Sequence, residues 1–72
     1  MTNQELPDRF VRLPEVLSLT QLNRATISRN VDLGLFPAPF KISERSIAWR
    51  MSEIVVWMNE LPRSTDGRGL GA

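Results

Sequence analysis

Asn23-Arg24-Ala25-Thr26-Ile27-Ser28-Arg29-Asn30-Val31-Asp32-Leu33-Gly34 decides how the rest of the chain is read. Asn23 is an N-cap: its side-chain oxygen can accept from a free backbone N–H of the first helical turn. Gly34 is a stop, because glycine enters the left-handed conformation that closes a helix without a Cβ penalty. Ile27 and Val31 stand four apart and share one face, with Leu22 just upstream to pack beside them. Ala25, Thr26, Ser28, Arg29 and Asp32 fall on the other sides. That outer surface is small and hydrogen-bonding, with one long cation, where a solvated helix often carries more Glu and Lys. A helix pressed into a DNA groove needs short polar residues and arginine. The stretch reads as a recognition helix and the remainder as its mount.

Upstream, Pro14 suits the first position of a helix, since its φ is preset and its missing N–H would lack a partner there. Glu15 suits the positive end of the same helix. Val16, Leu17, Leu19 and Leu22 supply apolar surface, so a short helix over 14–19 and a tight connection through Thr20, Gln21 and Leu22 are expected. Two short helices so connected form a helix-turn-helix, a spacing also met in generic helical hairpins. Phe10 to Leu13 alternates apolar and basic residues and reads as a short strand or an extended lead-in, with Arg12 a solvent-facing charge.

Downstream, Pro37 and Pro39 exclude a helix over 35–40 and force extended geometry on their predecessors. Phe36 and Phe40 are expected as core anchors. Phe40-Lys41-Ile42 and Ile47-Ala48-Trp49 are two β-type runs around the polar turn Ser43-Glu44-Arg45-Ser46. Period two predicts that Phe40 and Ile42 meet Ile47 and Trp49 on the core side, with Lys41 and Arg45 left at the solvent side or tip. A hairpin with a basic tip after a helix-turn-helix is a wing. Ser52 caps or opens a third helix, in which Ile54, Trp57, Met58 and Leu61 form one stripe, and Pro62 ends it. Trp49 and Trp57 are core residues whose indole N–H groups need partners at an edge. The expected core is Val11, Leu13, Val16, Leu17, Leu22, Ile27, Val31, Phe36, Phe40, Ile42, Ile47, Trp49, Ile54, Trp57, Met58 and Leu61. The predicted fold is mainly α with a small β-hairpin, a winged helix-turn-helix of three short helices plus wing. It occupies 10–61, between a flexible arm over 1–9 and a flexible, glycine-containing tail over 62–72.

The 72 residues suffice for one small domain. The absence of cysteine and histidine removes disulfides, thiolate metal sites and the commonest general base and zinc ligand. With no glycine-rich phosphate loop and no clustered carboxylates, no enzyme activity, cofactor or metal is expected. No apolar run approaches the ~20 residues of a membrane span and no signal pattern opens the chain, so a cytoplasmic protein is expected. The formal charge is +1. Position matters more than the sum: Arg24 to Arg50 holds five cations (Arg24, Arg29, Lys41, Arg45, Arg50) against Asp32 and Glu44, while elsewhere acids outnumber cations six to four.

Arg12-Leu13-Pro14-Glu15-Val16-Leu17, Leu22-Asn23-Arg24-Ala25-Thr26-Ile27, Arg29, Gly34, Phe36-Pro37-Ala38-Pro39, Glu44-Arg45, Trp49 and Ser52-Glu53-Ile54-Val55-Val56-Trp57 resemble the AlpA-type regulators of phages and prophages. These are small excisionase-like proteins with a MerR-like winged helix-turn-helix. The resemblance covers about 12–61. It implies DNA binding, either as a transcription regulator or as a directionality factor that helps an integrase excise an element. The matching recognition-helix positions are Arg24, Thr26 and Arg29, and the wing position is Arg45. The family pattern often has glycine where Gln21 and Ser43 stand, serine at Asn23 and an aromatic at Ser28.

The expected partner is double-stranded DNA, with the helix from Asn23 to Leu33 in the major groove. Arg29 is the candidate for bidentate contact with guanine, and Thr26 and Ser28 for shorter contacts. Arg24, Lys41 and Arg45 are candidates for the backbone, and Arg45 also for the minor groove. So few cations predict cooperative binding of several copies, with Val55 and Val56 as a contact surface, or help from a partner protein. The rival class is a protein-interaction adaptor with a helix-turn-helix shape and no DNA role.

Overall fold

The structure, a computed structural model, describes residues 8–64, so most of the predicted arm and tail lies outside the described residues. In chain order the elements are β1 (Phe10–Val11), α1 (Leu13–Thr20), α2 (Arg24–Asp32), β2 (Phe40–Ser43), β3 (Ser46–Arg50) and α3 (Met51–Asn59). This is a winged helix-turn-helix. The lead-in is a strand, so the wing hairpin belongs to a three-stranded antiparallel sheet of order β1-β3-β2.

Local chemistry sets the helix-turn-helix. Arg12 is the extended N-cap of α1, and Pro14 sits in its first turn. At the other end the Thr20 hydroxyl donates to the Val16 carbonyl at 2.8 Å. Gln21 then enters the left-handed region at φ 63°, with its N–H on the Leu17 carbonyl at 2.8 Å and its side-chain Nε2 on the Ser18 carbonyl at 2.8 Å. Two residues later Asn23 caps α2, its side-chain oxygen accepting from the Thr26 N–H at 2.8 Å. Gly34, at φ 76°, reverses the chain after α2, and Leu35 N–H closes on the Asn30 carbonyl at 2.8 Å.

Val11, Val16, Ile27, Phe36, Trp49 and Ile54 form the buried core, with Leu13, Leu17, Leu22, Val31, Met51, Trp57 and Met58 packed against it. Phe36 lies edge-on to both indoles, with centroids 6.3 Å from Trp49 and 4.7 Å from Trp57. The proline-bearing segment has no helix or strand to use its carbonyls. Two of them take the indole N–H groups: Trp49 donates to Pro37 at 2.7 Å and Trp57 to Leu35 at 2.9 Å. The segment is thereby stapled over the core.

Four residues expected in the core are instead exposed: Phe40 (37%), Ile42 (41%), Ile47 (46%) and Leu61 (52%). The hairpin register explains Phe40 and Ile42, whereas Ile47 keeps the inner face and is exposed because it lines an open groove beside α2. Residues directly opposite each other share a face, and Phe40 pairs with Ala48 while Lys41 pairs with Ile47. Phe40 therefore stands on the outer face with Phe10 and Arg50, and Lys41 shares the inner face with Ile47. On the outer face the Phe10 and Phe40 rings meet edge-on at 5.9 Å, and the Arg50 guanidinium lies 5.1 Å from the Phe40 centroid. Ile42 falls in the irregularity between Lys41 and Ser43. Leu61 lies beyond the last turn of α3.

Ser52 does not cap α3. The N-cap is Arg50, without a side-chain cap bond. The capping group is Asp8, whose carboxylate accepts from the Ser52 N–H at 3.0 Å and the Ser52 hydroxyl at 2.7 Å. The Met51 N–H donates to the Arg9 carbonyl at 2.8 Å. Asp8 and Arg9, assigned from sequence to the arm, thus join β1, α1 and α3. Among the described residues no helix is long and apolar enough to cross a membrane.

Candidate nucleic-acid interface

At about 100° per residue, Ile27 and Val31 define the inward side of α2 and Arg29 stands directly opposite. Arg24, Ser28 and Asp32 lie along one flank, Thr26 and Asn30 along the other. Burial follows this wheel: Ile27 is buried, Val31, Thr26 and Asn30 are half-buried, and Arg24, Ala25, Ser28, Arg29 and Asp32 are exposed.

The flank bearing Arg24, Ser28 and Asp32 borders the wing. A groove of about 260 Å³ separates it from the sheet, with Ile47, Trp49 and Pro39 on the far side. Ile47 pairs across the hairpin with Lys41, and the hairpin closes on the Ser43–Ser46 pair through the two-residue turn Glu44-Arg45. Gln21 is the one non-glycine with positive φ among the described residues, so the wing tip turns without the left-handed residues of the tightest hairpins.

The sequence-derived candidates divide accordingly. Arg24 and Ser28 face the wing groove, and Lys41 shares the sheet face of Ile47 across that groove. Arg29 forms the outward ridge of α2, and Arg45 sits at the exposed wing tip. Thr26 is on the flank away from the wing, and its N–H is held by the cap. The Asn23 side-chain oxygen is occupied by that same bond. Arg12 and Arg50 stand on the outer sheet face, where Arg12 donates to the Ser46 hydroxyl at 3.4 Å. Ile47 is the residue that sequence reasoning missed. Its apolar alternation reads as core, and only the hairpin register reveals that it borders the groove.

The electrostatics separate these groups further. Among the described residues the one ion pair joins Arg9 and Glu15, Nη2 to Oε2, at 2.7 Å. That hydrogen bond holds the Glu15 carboxyl below its ordinary pKa and raises that of Arg9. The Ser52 hydroxyl and N–H lower the pKa of Asp8. By contrast, among the described residues the side chains of Arg24, Arg29, Lys41 and Arg45 make no hydrogen bond or ion pair. Asp32 and Glu44 are the acids nearest them in sequence, as unpaired as the cations. The surface can neutralise a polyanion without breaking any internal contact. Among the described residues no group of side chains could hold a metal ion.

The family model described as "Prophage CP4-57 regulatory protein (AlpA)" matches residues 9–63. A protein of Enterobacteria phage P4, described as "Uncharacterized protein ORF88", is 40% identical over 57 residues, which cover 74% of this chain and 65% of that relative. The match thus spans slightly less than two thirds of the relative's length. No solved structure matches the chain.

Proposed function

The chain belongs to the AlpA family of prophage regulatory proteins, and we propose that it regulates transcription in the cytoplasm by binding double-stranded DNA sequence-specifically, without catalysing a reaction. In this reading α2 lies in the major groove. Arg29, on the outward ridge, makes the bidentate contact with guanine O6 and N7. Arg24 and Ser28 meet the sugar-phosphate ridge that enters the groove between α2 and the sheet. Lys41 and Arg45 bind the backbone on the wing side. The observation that carries this reading is the set of four unpaired cations, Arg24, Arg29, Lys41 and Arg45, distributed over one helix and the adjoining wing.

Three backbone-binding cations, Arg24, Lys41 and Arg45, supply a modest electrostatic affinity, so several copies bind cooperatively at repeated sites. Fluorescence anisotropy against a duplex selected from a random pool, repeated across salt concentrations, tests the reading. A slope of log K on log salt of roughly −3 is expected from counterion release, with tighter binding to the selected duplex than to a scrambled one. A flat salt response overturns the proposal and supports the adaptor class. Equal affinity for both duplexes removes sequence specificity from it.

A further inference from the structure

The outward side of α3 is apolar at its centre. Val55 and Val56 are 39% and 53% exposed. The pair is small in area, and it gains weight from what adjoins it. Beside it runs an open groove between α3 and the proline segment, with Leu35 and Phe40 on the far wall and Glu53 and Glu60 on the α3 wall. The charges are arranged unevenly along this helix. Arg50 stands at its N-terminal end, over the Phe40 ring and near Asp8. Glu60 stands at its C-terminal end and makes no ion pair among the described residues. Arg50 and Glu60 are equidistant from the centre of the helix, and Val55 and Val56 occupy that centre.

From this arrangement we infer that α3 is the interface of a two-fold homodimer, in which the α3 helices of two copies pack antiparallel. Antiparallel packing about the valines sets Arg50 of one copy against Glu60 of the other, twice. A self-complementary patch of this kind is what a two-fold axis requires. Within one chain the two residues are about 15 Å apart along the helix, so they cannot pair with each other. The inference deepens the cooperative binding proposed above by naming the surface that joins the copies.

Sedimentation equilibrium of the full chain without DNA tests it, so that its failure and the failure of DNA binding are read in separate experiments. The expected result is a reversible monomer–dimer equilibrium. Val56→Asp, at an exposed position, should weaken it about a hundredfold by burying two unpaired charges. Arg50→Glu alone and Glu60→Arg alone should each weaken it about tenfold by facing like charges. The double exchange Arg50→Glu/Glu60→Arg should recover wild-type dimerisation. Far-UV circular dichroism checks that each variant is folded. A wild-type chain that stays monomeric at several hundred micromolar overturns the inference. So does a dimer indifferent to Val56→Asp, or a folded double exchange that stays as weak as the single ones.

Discussion

Arg29 stands on the side of α2 opposite Ile27 and Val31, and among the described residues no acid or acceptor holds its guanidinium. A side chain so placed contributes little to folding, and its value lies in what it meets outside. Arg29→Ala should therefore leave the melting temperature nearly unchanged. It should cost about 1–3 kcal/mol of binding to the preferred duplex and relax selectivity at one base pair. Competition binding against single-base variants measures both, and equal losses on preferred and scrambled duplexes would assign Arg29 to the phosphates. Gln21 presents the reverse case, a residue whose conformation is costly. It holds φ 63° with a Cβ, where glycine is at ease. Gln21→Gly should stabilise the domain by about 1 kcal/mol, a rise of about 4–8 °C in melting temperature. An unchanged or lower melting temperature would mean that the Gln21 side-chain bond to the Ser18 carbonyl outweighs the strain. Both residues were visible in the sequence, Arg29 from helical spacing and Gln21 from its place in the turn. The strain at Gln21 could be seen only in the backbone angle.

At the scale of the element, α2 was the most legible part of the chain. Its cap, its apolar pair and its glycine stop are all local signals, and all three operate as expected. The hairpin was less legible because both of its alternating sets contain apolar residues. Phe40 and Ile42 form one set and Ile47 and Trp49 the other, so alternation alone aligned them wrongly. The pairing of Lys41 with Ile47 is decided by the burial of Trp49 against Val11 and the pull of the Pro37 carbonyl on its indole. A one-residue change of alignment reverses every face. The start of α3 was legible to within one residue, but its capping group was not, since that carboxylate belongs to Asp8, 44 residues upstream. That cap has a consequence for pH. Asp8 and Glu15 both have folded-state pKa values below their ordinary ones, because Ser52 and Arg9 favour the charged forms. Their stabilisation is complete above the ordinary carboxylate range and is lost as pH falls through the lowered values. Thermal melts taken from pH 6 down to pH 3 should show this loss below about pH 4. Asp8→Asn should melt lower at pH 6 and show a smaller further drop on acidification. A parallel decline in both proteins would remove Asp8 from the acid response.

At the scale of the whole molecule, the packing of α1 and α3 on the sheet orders the surfaces. The inner sheet face and α2 enclose the groove lined by Arg24, Ser28 and Ile47. The outer face carries Phe10, Phe40 and Arg50, and it adjoins the α3 groove that Val56 and Glu60 line. In the proposed reading one surface meets a polyanion and another a second copy, so dimerisation and DNA contact would not compete. The net charge of +1 concealed this division, because Arg9, Glu15 and Asp8 spend their charges inside the scaffold while the four wing and α2 cations do not. The central claim is that α2 and the wing meet one duplex together. The most direct measurement is a titration of the isotope-labelled chain with the selected duplex, following backbone amide resonances. Amides of Asn23 to Arg29 and those of Glu44 and Arg45 should shift together, with one affinity. Shifts confined to α2, or to the wing, or centred on the outer sheet face would contradict it.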